Sequence, residues 1–313
     1  MIFAPLFMVW LTIATSVFAK KPSGTGNIAL YWGQNSANRP ETQRPLIQVC
    51  QTEKDVNIII LSFLLSAANL DNLNFANAAR PTEHDINTCK NKYGKTIILS
   101  LGGMSPDASW NFASPSHAIE AADRIYHAYG PAGHSSIRPF GSASVSGFDL
   151  DFETRFAHLD VFAQQLRSHT LSASNKMYLS AAPQCPFPDH NVGPVLHSVH
   201  MDFIFVQFYN NPSCDLRPSS AAGHADAVAK WDDYARQAKS MLFLGVPATS
   251  GAAAAASYAN GNTVAQQVTK HRNGKATFAG VMIWDSSQLD LNPGFLTPIV
   301  HSFKAAAVVP EQN

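Results

Sequence analysis

Residues 56–63 read VNIIILSF, an almost unbroken run of β-branched, leucyl and aromatic side chains. Such a run is typical of a strand buried on both faces of a parallel sheet, because strands of antiparallel sandwiches alternate more cleanly between apolar and polar residues. The chain carries seven further runs of this kind, at residues 27–33, 96–102, 145–152, 177–182, 202–209, 241–247 and 278–284. The sequence therefore predicts eight strands of a largely parallel sheet.

The segments between the runs predict helices, because their apolar residues recur three and four positions apart. We expect helices over residues 116–129, 155–170 and 225–241. Eight strands that alternate with helices indicate the α/β class and a single-domain (β/α)8 TIM barrel. A doubly wound open sheet is the alternative, although the sequence has no glycine-rich loop of the dinucleotide or P-loop type.

The balance of charges narrows the classes of partner. The 313-residue chain has 22 basic and 22 acidic residues, and charged residues make up 14% of it. It lacks the basic surface of nucleic-acid-binding proteins and the charge density of a coiled coil or a disordered tail. We therefore expect an uncharged partner and no bound nucleic acid. We also expect a monomer, although the charge balance does not bear on this.

Residues 1–19, MIFAPLFMVWLTIATSVFA, contain no charged side chain and end with small residues at Val17 and Ala19. This is the pattern of a secretory signal peptide cleaved before Lys20; a membrane anchor is the alternative, but Pro5 interrupts the apolar run. No later stretch is apolar for the ~20 residues that a membrane span requires. We expect a secreted, extracellular protein that is divided into a signal peptide at 1–19, a flexible segment at 20–26, the barrel at 27–304 and a tail at 305–313.

Four cysteines lie in the predicted mature part of the chain, at Cys50, Cys89, Cys185 and Cys214. An oxidising compartment favours disulfides, and the sequence has no CxxC pattern that would favour zinc. Four cysteines can pair in three ways. Pairing of cysteines that are consecutive along the chain, Cys50 with Cys89 and Cys185 with Cys214, is favoured if each pair brackets consecutive elements of a repeating unit.

Residues 146–153, SGFDLDFE, carry three acids at alternate positions. In a strand, Asp149, Asp151 and Glu153 point to one face, and the apolar residues between them point to the other. If the apolar face packs against helices, the acids point into the barrel at ~6.6 Å intervals, two residues of strand rise. Carboxyl groups so close cannot all ionise easily, so at least one is expected to titrate at unusually high pH, as a general acid requires.

Glu153 ends this run, and catalytic residues of barrel enzymes lie at the C-terminal ends of strands. We therefore predict that Glu153 is a general acid with Asp151 as its partner. One alternative is a half-exposed edge strand with its acids in water. Another is a divalent-cation site, but the only nearby histidine is His158, whose spacing suits a helix surface. We expect neither a metal nor a cofactor.

The chain resembles the glycoside hydrolase family 18 chitinases, specifically the hevamine-like class III group, whose fourth strand carries DGxDxDxE. The resemblance covers essentially the whole mature chain. It rests on that strand and on five motifs: YWGQN at 31–35, SLGG at 100–103, AAPQCPFP at 181–188, VQFYNNP at 206–212 and GVMIW at 280–284. It implies an endochitinase that cuts β-1,4 bonds in chitin or N-acetylglucosamine oligosaccharides with retention of configuration.

The resemblance also implies roles for individual residues. Glu153 would protonate the glycosidic oxygen while the substrate's own acetamido oxygen attacks the anomeric carbon. Asp151 would orient the acetamido group and stabilise the oxazolinium intermediate, Asp149 would help to place the shared proton, and Tyr209 would donate to the acetamido carbonyl. The implied sugar contacts are Trp284 as the floor, Tyr31 and Gln34 along the cleft, the amides of Gln207 and Asn210, and the small residues Gly102 and Gly103. The implied disulfides are Cys50–Cys89 and Cys185–Cys214.

Two departures from the family pattern stand out. Ser146 replaces the first aspartate of DGxDxDxE, and we expect its hydroxyl to keep a hydrogen bond to Asp149 with less negative charge beneath the site, so that Ser146→Asp shifts the pH profile. Residues 104–110, MSPDASW, differ from the plant pattern.

Two other functions stay open: a non-catalytic lectin, storage protein or inhibitor, which commonly loses the acid or its partner, and an endo-N-acetylglucosaminidase acting on glycoproteins. Peptidoglycan is a further candidate substrate.

Overall fold

The computed structural model describes residues 22–76, 78–131, 135–274 and 277–305. Its strands are β1 Asn27–Trp32, β2 Ile58–Leu64, β3 Thr96–Gly102, β4 Gly147–Asp151, β5 Tyr178–Ala181, β6 Phe203–Gln207, β7 Met241–Pro247 and β8 Phe278–Trp284. Its α-helices are α1 Leu46–Thr52, α2 Glu83–Asn91, α3 Pro115–Tyr129, α4 Leu159–Ser172, α5 Gly193–Ser198, α6 Ala221–Ala238, α7 Gly261–Gly274, α8 Ser286–Asp290 and α9 Leu296–Ala305.

The eight strands form a closed parallel barrel in chain order. Each strand pairs with the next, and β8 pairs with β1 in parallel register. This confirms the predicted (β/α)8 barrel and excludes the doubly wound open sheet. Because all strands run in one direction, their C-terminal ends meet at a single rim, where barrel enzymes place their active sites.

Alternate residues of each strand pack into two separate apolar cores. Leu30 of β1 and Leu61 of β2 point outwards into the layer between strands and helices, whereas Ala29 and Ile60 point into the barrel. Aromatic rings fill the interior, for example Phe205 and Phe243 with their centroids 4.9 Å apart. The interior is a packed plug, so any site must lie above it at the rim.

The predicted helix over residues 155–170 was wrong at its start. Helix α4 begins at Leu159, because His158 has a left-handed backbone with φ 61° that a right-handed helix cannot contain. Phe156 therefore lies in the preceding loop, where its ring contacts Phe152 at 5.1 Å. The predicted helix at 225–241 also ran too far, since α6 ends at Ala238 before a left-handed Lys239.

Each disulfide joins two cysteines that are consecutive among the four in the chain, as predicted. Cys50–Cys89 links α1 to α2, and Cys185–Cys214 links the loop after β5 to the loop after β6. The predicted signal peptide at residues 1–19 lies outside the described residues, as does the predicted tail beyond Ala305. None of the helices in the described part of the chain combines the length and apolar character needed to cross a bilayer.

Candidate active site

Strand β4 sends its acids and its apolar residues to opposite faces, as its alternation predicts. Phe148 and Leu150 belong to the outer core, where they pack beneath the helices. Asp149 and Asp151 lie on the inner face and are buried. Glu153 follows the strand by two residues and is partly exposed at the rim. The three acids therefore form a line from the barrel interior to solvent.

Asp149 lies at the bottom of this line and is fully buried. Its Oδ2 atom accepts hydrogen bonds from the Tyr31 hydroxyl at 2.8 Å and the Ser100 hydroxyl at 2.7 Å. Its Oδ1 atom accepts from the Ser180 hydroxyl at 2.7 Å. The two serines lie level with Asp149 on the flanking strands. Burial raises the pKa of Asp149, and the three donors oppose that rise.

Asp151 lies in the middle and is also buried. The Gln207 amide donates to its Oδ1 atom at 3.0 Å and to the Ala182 carbonyl oxygen at 2.9 Å. Burial raises the pKa of Asp151 well above its usual value, and the charges of Glu153 and Asp149 raise it further. Asp151 therefore tends to hold a proton at a pH where an exposed aspartate is ionised.

A buried carboxylate that the sequence analysis did not single out, that of Asp189, influences the pKa of Glu153. Burial raises the pKa of Glu153, as does the negative charge of Asp189, while a hydrogen bond from the Gln184 side chain opposes the rise. Asp189 accepts backbone hydrogen bonds from Gln184 at 3.0 Å, Asn191 at 2.8 Å and Val192 at 2.6 Å. These donors hold its charge in a fixed position near the rim.

Tyr209 and Trp284 supply a donor and an apolar surface beside the acids. Burial raises the pKa of Tyr209 well above its usual value, and the charges of Asp151 and Glu153 add to this, so the hydroxyl keeps its proton. The Trp284 ring meets Tyr31 edge-on at 5.4 Å and stacks on Phe63 at 6.0 Å. This aromatic packing fixes the plane of the indole.

These side chains line an open cleft of about 370 Å³ at the C-terminal rim. Its lining residues are Met104, Asp151, Glu153, Gln184, Gln207, Tyr209, Asn210, Asn211, Ala252 and Trp284. The volume falls within the ~300–1,000 Å³ typical of ligand sites. A larger hollow of about 530 Å³ is lined by Gly26, Asn57 and Lys95, which directly precede β1, β2 and β3. It therefore lies at the opposite rim, so we assign the chemistry to the smaller cleft.

Four of the predicted sugar contacts lie beneath the cleft or beside it rather than among its lining residues. Tyr31 is buried and bonded to Asp149. The Gln34 amide nitrogen donates to two backbone carbonyls, those of Ser62 and Asn74, at 3.0 Å each. Gly102 and Gly103 lie against the backbone carbonyl of Asp151 and the Phe63 ring, respectively. A direct contact of these four residues with a sugar stays a prediction.

Asn210 lines the cleft, its predicted amide contact with a sugar stays a prediction, and several hydrogen bonds fix its conformation. Its backbone is left-handed with φ 61°, and its Oδ1 atom accepts from Ala254 N at 2.8 Å. Its own N–H donates to the Ser257 hydroxyl at 3.0 Å. Four further lining residues were missed, namely Met104, Gln184, Asn211 and Ala252. Gln184 and Asn211 lie within quoted motifs as polar residues just after strands, a signal that could have found them.

The expectation for Ser146 was wrong. Its hydroxyl accepts a hydrogen bond from Ile97 N at 3.3 Å, and Asp149 receives its bonds from other residues. The reason is the strand period of two: Ser146 and Asp149 are three positions apart and therefore point to opposite faces. Ser146 thus contributes to strand pairing rather than to the acidic line.

Among the described residues, no three His, Cys, Asp or Glu side chains are grouped so as to hold a metal ion. The carboxyl groups of Asp149, Asp189 and Asp151 are instead paired with hydroxyl, backbone and amide donors, respectively. Such an arrangement can hold and transfer protons. It fits general acid catalysis on an uncharged ligand.

Comparison with known proteins agrees with this geometry. Residues 27–289 match the model of the glycosyl hydrolases of family 18. Endochitinase 33 of Trichoderma harzianum is 39% identical over 94% of this chain and 99% of its own length. Chitinase 1 of Candida albicans is 36% identical over 95% of this chain, which spans 62% of that longer relative. The crystal structure of a xylanase and α-amylase inhibitor from Scadoxus multiflorus superposes with a TM-score of 0.76, 31% identity and coverage of 89% of this chain and 99% of that one.

Proposed function

The chain belongs to family 18 of the glycosyl hydrolases, and from this premise we propose that it is a secreted endochitinase. It cleaves β-1,4 bonds between N-acetylglucosamine units of chitin and chitin oligosaccharides and retains the configuration at the anomeric carbon. The naming of its Trichoderma and Candida relatives as chitinases supports this substrate. The cleft agrees with it, because its ionisable lining residues are two carboxyl groups and a tyrosine, with no basic group among those described.

The observation that carries the proposal is that three carboxyl groups with raised pKa values, those of Asp149, Asp151 and Glu153, follow one another along the inner side of β4 and its C-terminal end. Glu153, at the rim, gives its proton to the glycosidic oxygen, and the bond from that oxygen to the anomeric carbon breaks. The substrate's acetamido oxygen attacks the same carbon from the other side and forms an oxazolinium ring. No carboxylate of the protein needs to become a nucleophile.

The second half of the reaction restores the enzyme. Glu153, now ionised, takes a proton from a water molecule as that water attacks the anomeric carbon and opens the oxazolinium ring. Two inversions at one carbon give net retention. In its ionised form, Asp151 accepts a hydrogen bond from the acetamido N–H and balances the positive charge of the intermediate. The Tyr209 hydroxyl, which stays protonated, donates to the acetamido oxygen.

Cleavage of a defined chitin oligosaccharide tests the proposal. Wild type is expected to release shorter oligosaccharides, and proton NMR of the first products should show the β-anomer at the new reducing end. Glu153→Gln should lose about 100- to 10,000-fold in kcat, the usual contribution of a general acid. Glu120→Gln, an exposed site on α3, is the matched control and should retain wild-type activity.

A binding-only role is the second candidate, because an inhibitor protein shares the fold and 31% identity. It predicts that oligosaccharides bind to wild type without being cleaved. The presence of Glu153, Asp151 and Tyr209 favours the enzyme. A parallel assay on a high-mannose glycopeptide separates chitin cleavage from endo-N-acetylglucosaminidase activity, and turbidity loss with bacterial cell walls tests peptidoglycan.

We also propose that residues 1–19 direct secretion and are then removed. N-terminal sequencing of protein recovered from the culture medium tests this. A mature chain beginning at Lys20 is the expected result. The assignment would be contradicted if the secreted protein retained residues 1–19, or if no protein reached the medium.

A further inference from the structure

Gln184 and Asn211 line the same cleft as Glu153, and their amide side chains are hydrogen-bonded to each other. Asn211 Nδ2 donates to Gln184 Oε1 at 3.2 Å. The same nitrogen donates to the backbone carbonyl oxygen of Tyr209 at 3.1 Å. Because only the NH2 end of an amide can donate, the two oxygen acceptors fix which way the Asn211 amide points.

The orientation of Asn211 determines that of Gln184. A glutamine amide has one donor end and one acceptor end. Gln184 Oε1 accepts from Asn211, so the Nε2 end is left to donate to Glu153, whose carboxyl group receives a hydrogen bond from this side chain. Gln184 therefore presents N–H groups to Glu153 rather than a lone pair.

The backbone around the two amides is held from several sides. The Gln184 N–H donates to Asp189 Oδ2 at 3.0 Å. The next residue, Cys185, forms the disulfide with Cys214, and the Cys214 N–H donates to the carbonyl oxygen of Asn211 at 3.0 Å. The loops after β5 and β6 are thus covalently joined beside the hydrogen bond that links the amides.

A donor held beside Glu153 acts on both forms of its carboxyl group. In the protonated form the carbonyl oxygen is the better acceptor, so donation from Gln184 favours the proton on the other oxygen. In the ionised form the same N–H stabilises the negative charge. Gln184 therefore opposes Asp189, whose charge disfavours the ionised form, although both residues belong to one loop.

We propose that Gln184 and Asn211 are a positioning pair for Glu153, in which Asn211 orients the Gln184 amide and Gln184 stabilises the ionised carboxylate between the two halves of the reaction. Neither residue of the pair needs to touch the reacting atoms. This role rests on the proposed function of Glu153 as a general acid. It deepens that function, because the pair then helps to set the pH above which activity is lost.

The alkaline limb of the pH profile of kcat/KM on a chitin oligosaccharide tests the pair. Gln184→Met removes the donor and keeps a similar length, so the ionised form of Glu153 loses stabilisation and activity should persist to higher pH than in wild type. Asp189→Asn should move the limb in the opposite direction, which general damage to the site would not do. Gln51→Met, an exposed site on α1, is the matched control and should keep the wild-type profile.

A double-mutant cycle tests the order within the pair. Asn211→Leu frees the Gln184 amide to turn and should shift the alkaline limb in the same direction as Gln184→Met. The double variant should show the shift of Gln184→Met alone, because Asn211 acts through Gln184. Shifts that add would mean that Asn211 acts on Glu153 separately, and they would overturn the pairing.

Carbon-13 NMR of Glu153 gives a measurement that does not require cleavage of chitin. The chain has six glutamates, so a label on their carboxyl carbons gives few signals, and the signal lost in Glu153→Gln belongs to Glu153. Its titration should move to higher pH in Gln184→Met and in Asn211→Leu, with thermal unfolding as the check on folding.

An unmoved or lowered titration of Glu153 in folded Gln184→Met would overturn the inference. Should Gln184→Met fail to fold, Asn211→Leu alone decides, because the same direction of shift is expected. If the titration moves to higher pH while wild type cleaves no oligosaccharide, the proposed function fails and the positioning pair is supported.

Discussion

The side-chain amide of Gln207 on β6 donates to Oδ1 of Asp151 on β4, 3.0 Å away, and thereby spans the intervening strand. The same nitrogen donates to the Ala182 carbonyl oxygen at 2.9 Å, so the amide has little freedom to turn. The bond fixes one carboxyl oxygen of Asp151, whose side chain lines the cleft. We expect Gln207→Leu to reduce kcat about 100-fold, because a misplaced catalytic group can cost that much. Kinetics together with thermal unfolding would check this, and a stable variant with wild-type kcat would contradict it.

Asp151→Asn is expected to stabilise the fold in a pH-dependent way. The pKa of Asp151 is raised in the folded protein, so the folded state binds its proton more tightly than the unfolded state does. Wild-type stability should therefore fall as pH rises from about 4, the usual aspartate value, through the raised value. The asparagine variant lacks this loss, so its advantage should be absent at low pH and grow towards neutrality.

Urea unfolding of both proteins at several pH values measures the difference in the free energy of unfolding. The variant should also be nearly inactive on chitin oligosaccharides. Together the two results would show that the carboxyl group needed for activity lowers the free energy of unfolding near neutral pH. A difference in stability that does not change with pH would mean that Asp151 titrates as it does in the unfolded chain.

Asp189→Asn should move the pH profile of kcat/KM. The charge of Asp189 raises the pKa of Glu153, and Glu153 must be protonated to act as an acid. Removing that charge lowers the pKa of Glu153, so activity should be lost at a lower pH on the alkaline side. The asparagine carbonyl oxygen can still accept from Asn191 and Val192, which favours a folded variant. If the folded variant loses kcat/KM at the same alkaline pH as wild type, Asp189 has only a structural role.

Ser146→Asp, by contrast, should leave the pH profile of kcat/KM nearly unchanged. The side chain at this position faces Ile97 on β3 rather than Asp149. A new carboxylate there would point away from the acidic line. The measurement is the same profile on the same oligosaccharide, and a clear shift would mean that charge acts through the strand despite the opposite orientation.

Asp215 should be important for stability. It is fully buried and accepts from Arg217 Nε at 2.8 Å and from the Ser257 hydroxyl at 2.7 Å. Asp215→Ala removes the acceptor of the buried Ser257 hydroxyl and should lower the free energy of unfolding, measured with urea, by about 1–3 kcal/mol, the usual cost of leaving a buried donor unsatisfied. Asp226→Ala, which removes an exposed pair with Lys230, should cost less than about 1 kcal/mol.

The acidic strand was predictable because its information is local. Alternation with a period of two fixes which face Asp149 and Asp151 share, and the apolar residues between them determine which face is buried. The position of Glu153 past the strand end follows from the same register. The disulfide between Cys185 and Cys214 followed from sequence order once the repeating unit was assumed.

Other features depend on residues distant in sequence, and for that reason they were missed. Asp189 acts on Glu153 only because the loop after β5 folds back over the rim. Gln34 donates its amide to Ser62 and Asn74, a contact that no pattern near residue 34 indicates. The start of α4 was misplaced because the left-handed backbone of His158 carries no signature in a histidine side chain.

The ring of strand pairings from β1 back to β8 has a consequence for how such a protein can diversify. Every backbone ladder is completed within the barrel, so the connecting loops at the rim are free to change length and composition without offering an open edge to another molecule. Residues of these loops that line the cleft, such as Met104 and Ala252, can therefore be exchanged while the scaffold that holds the acids stays intact.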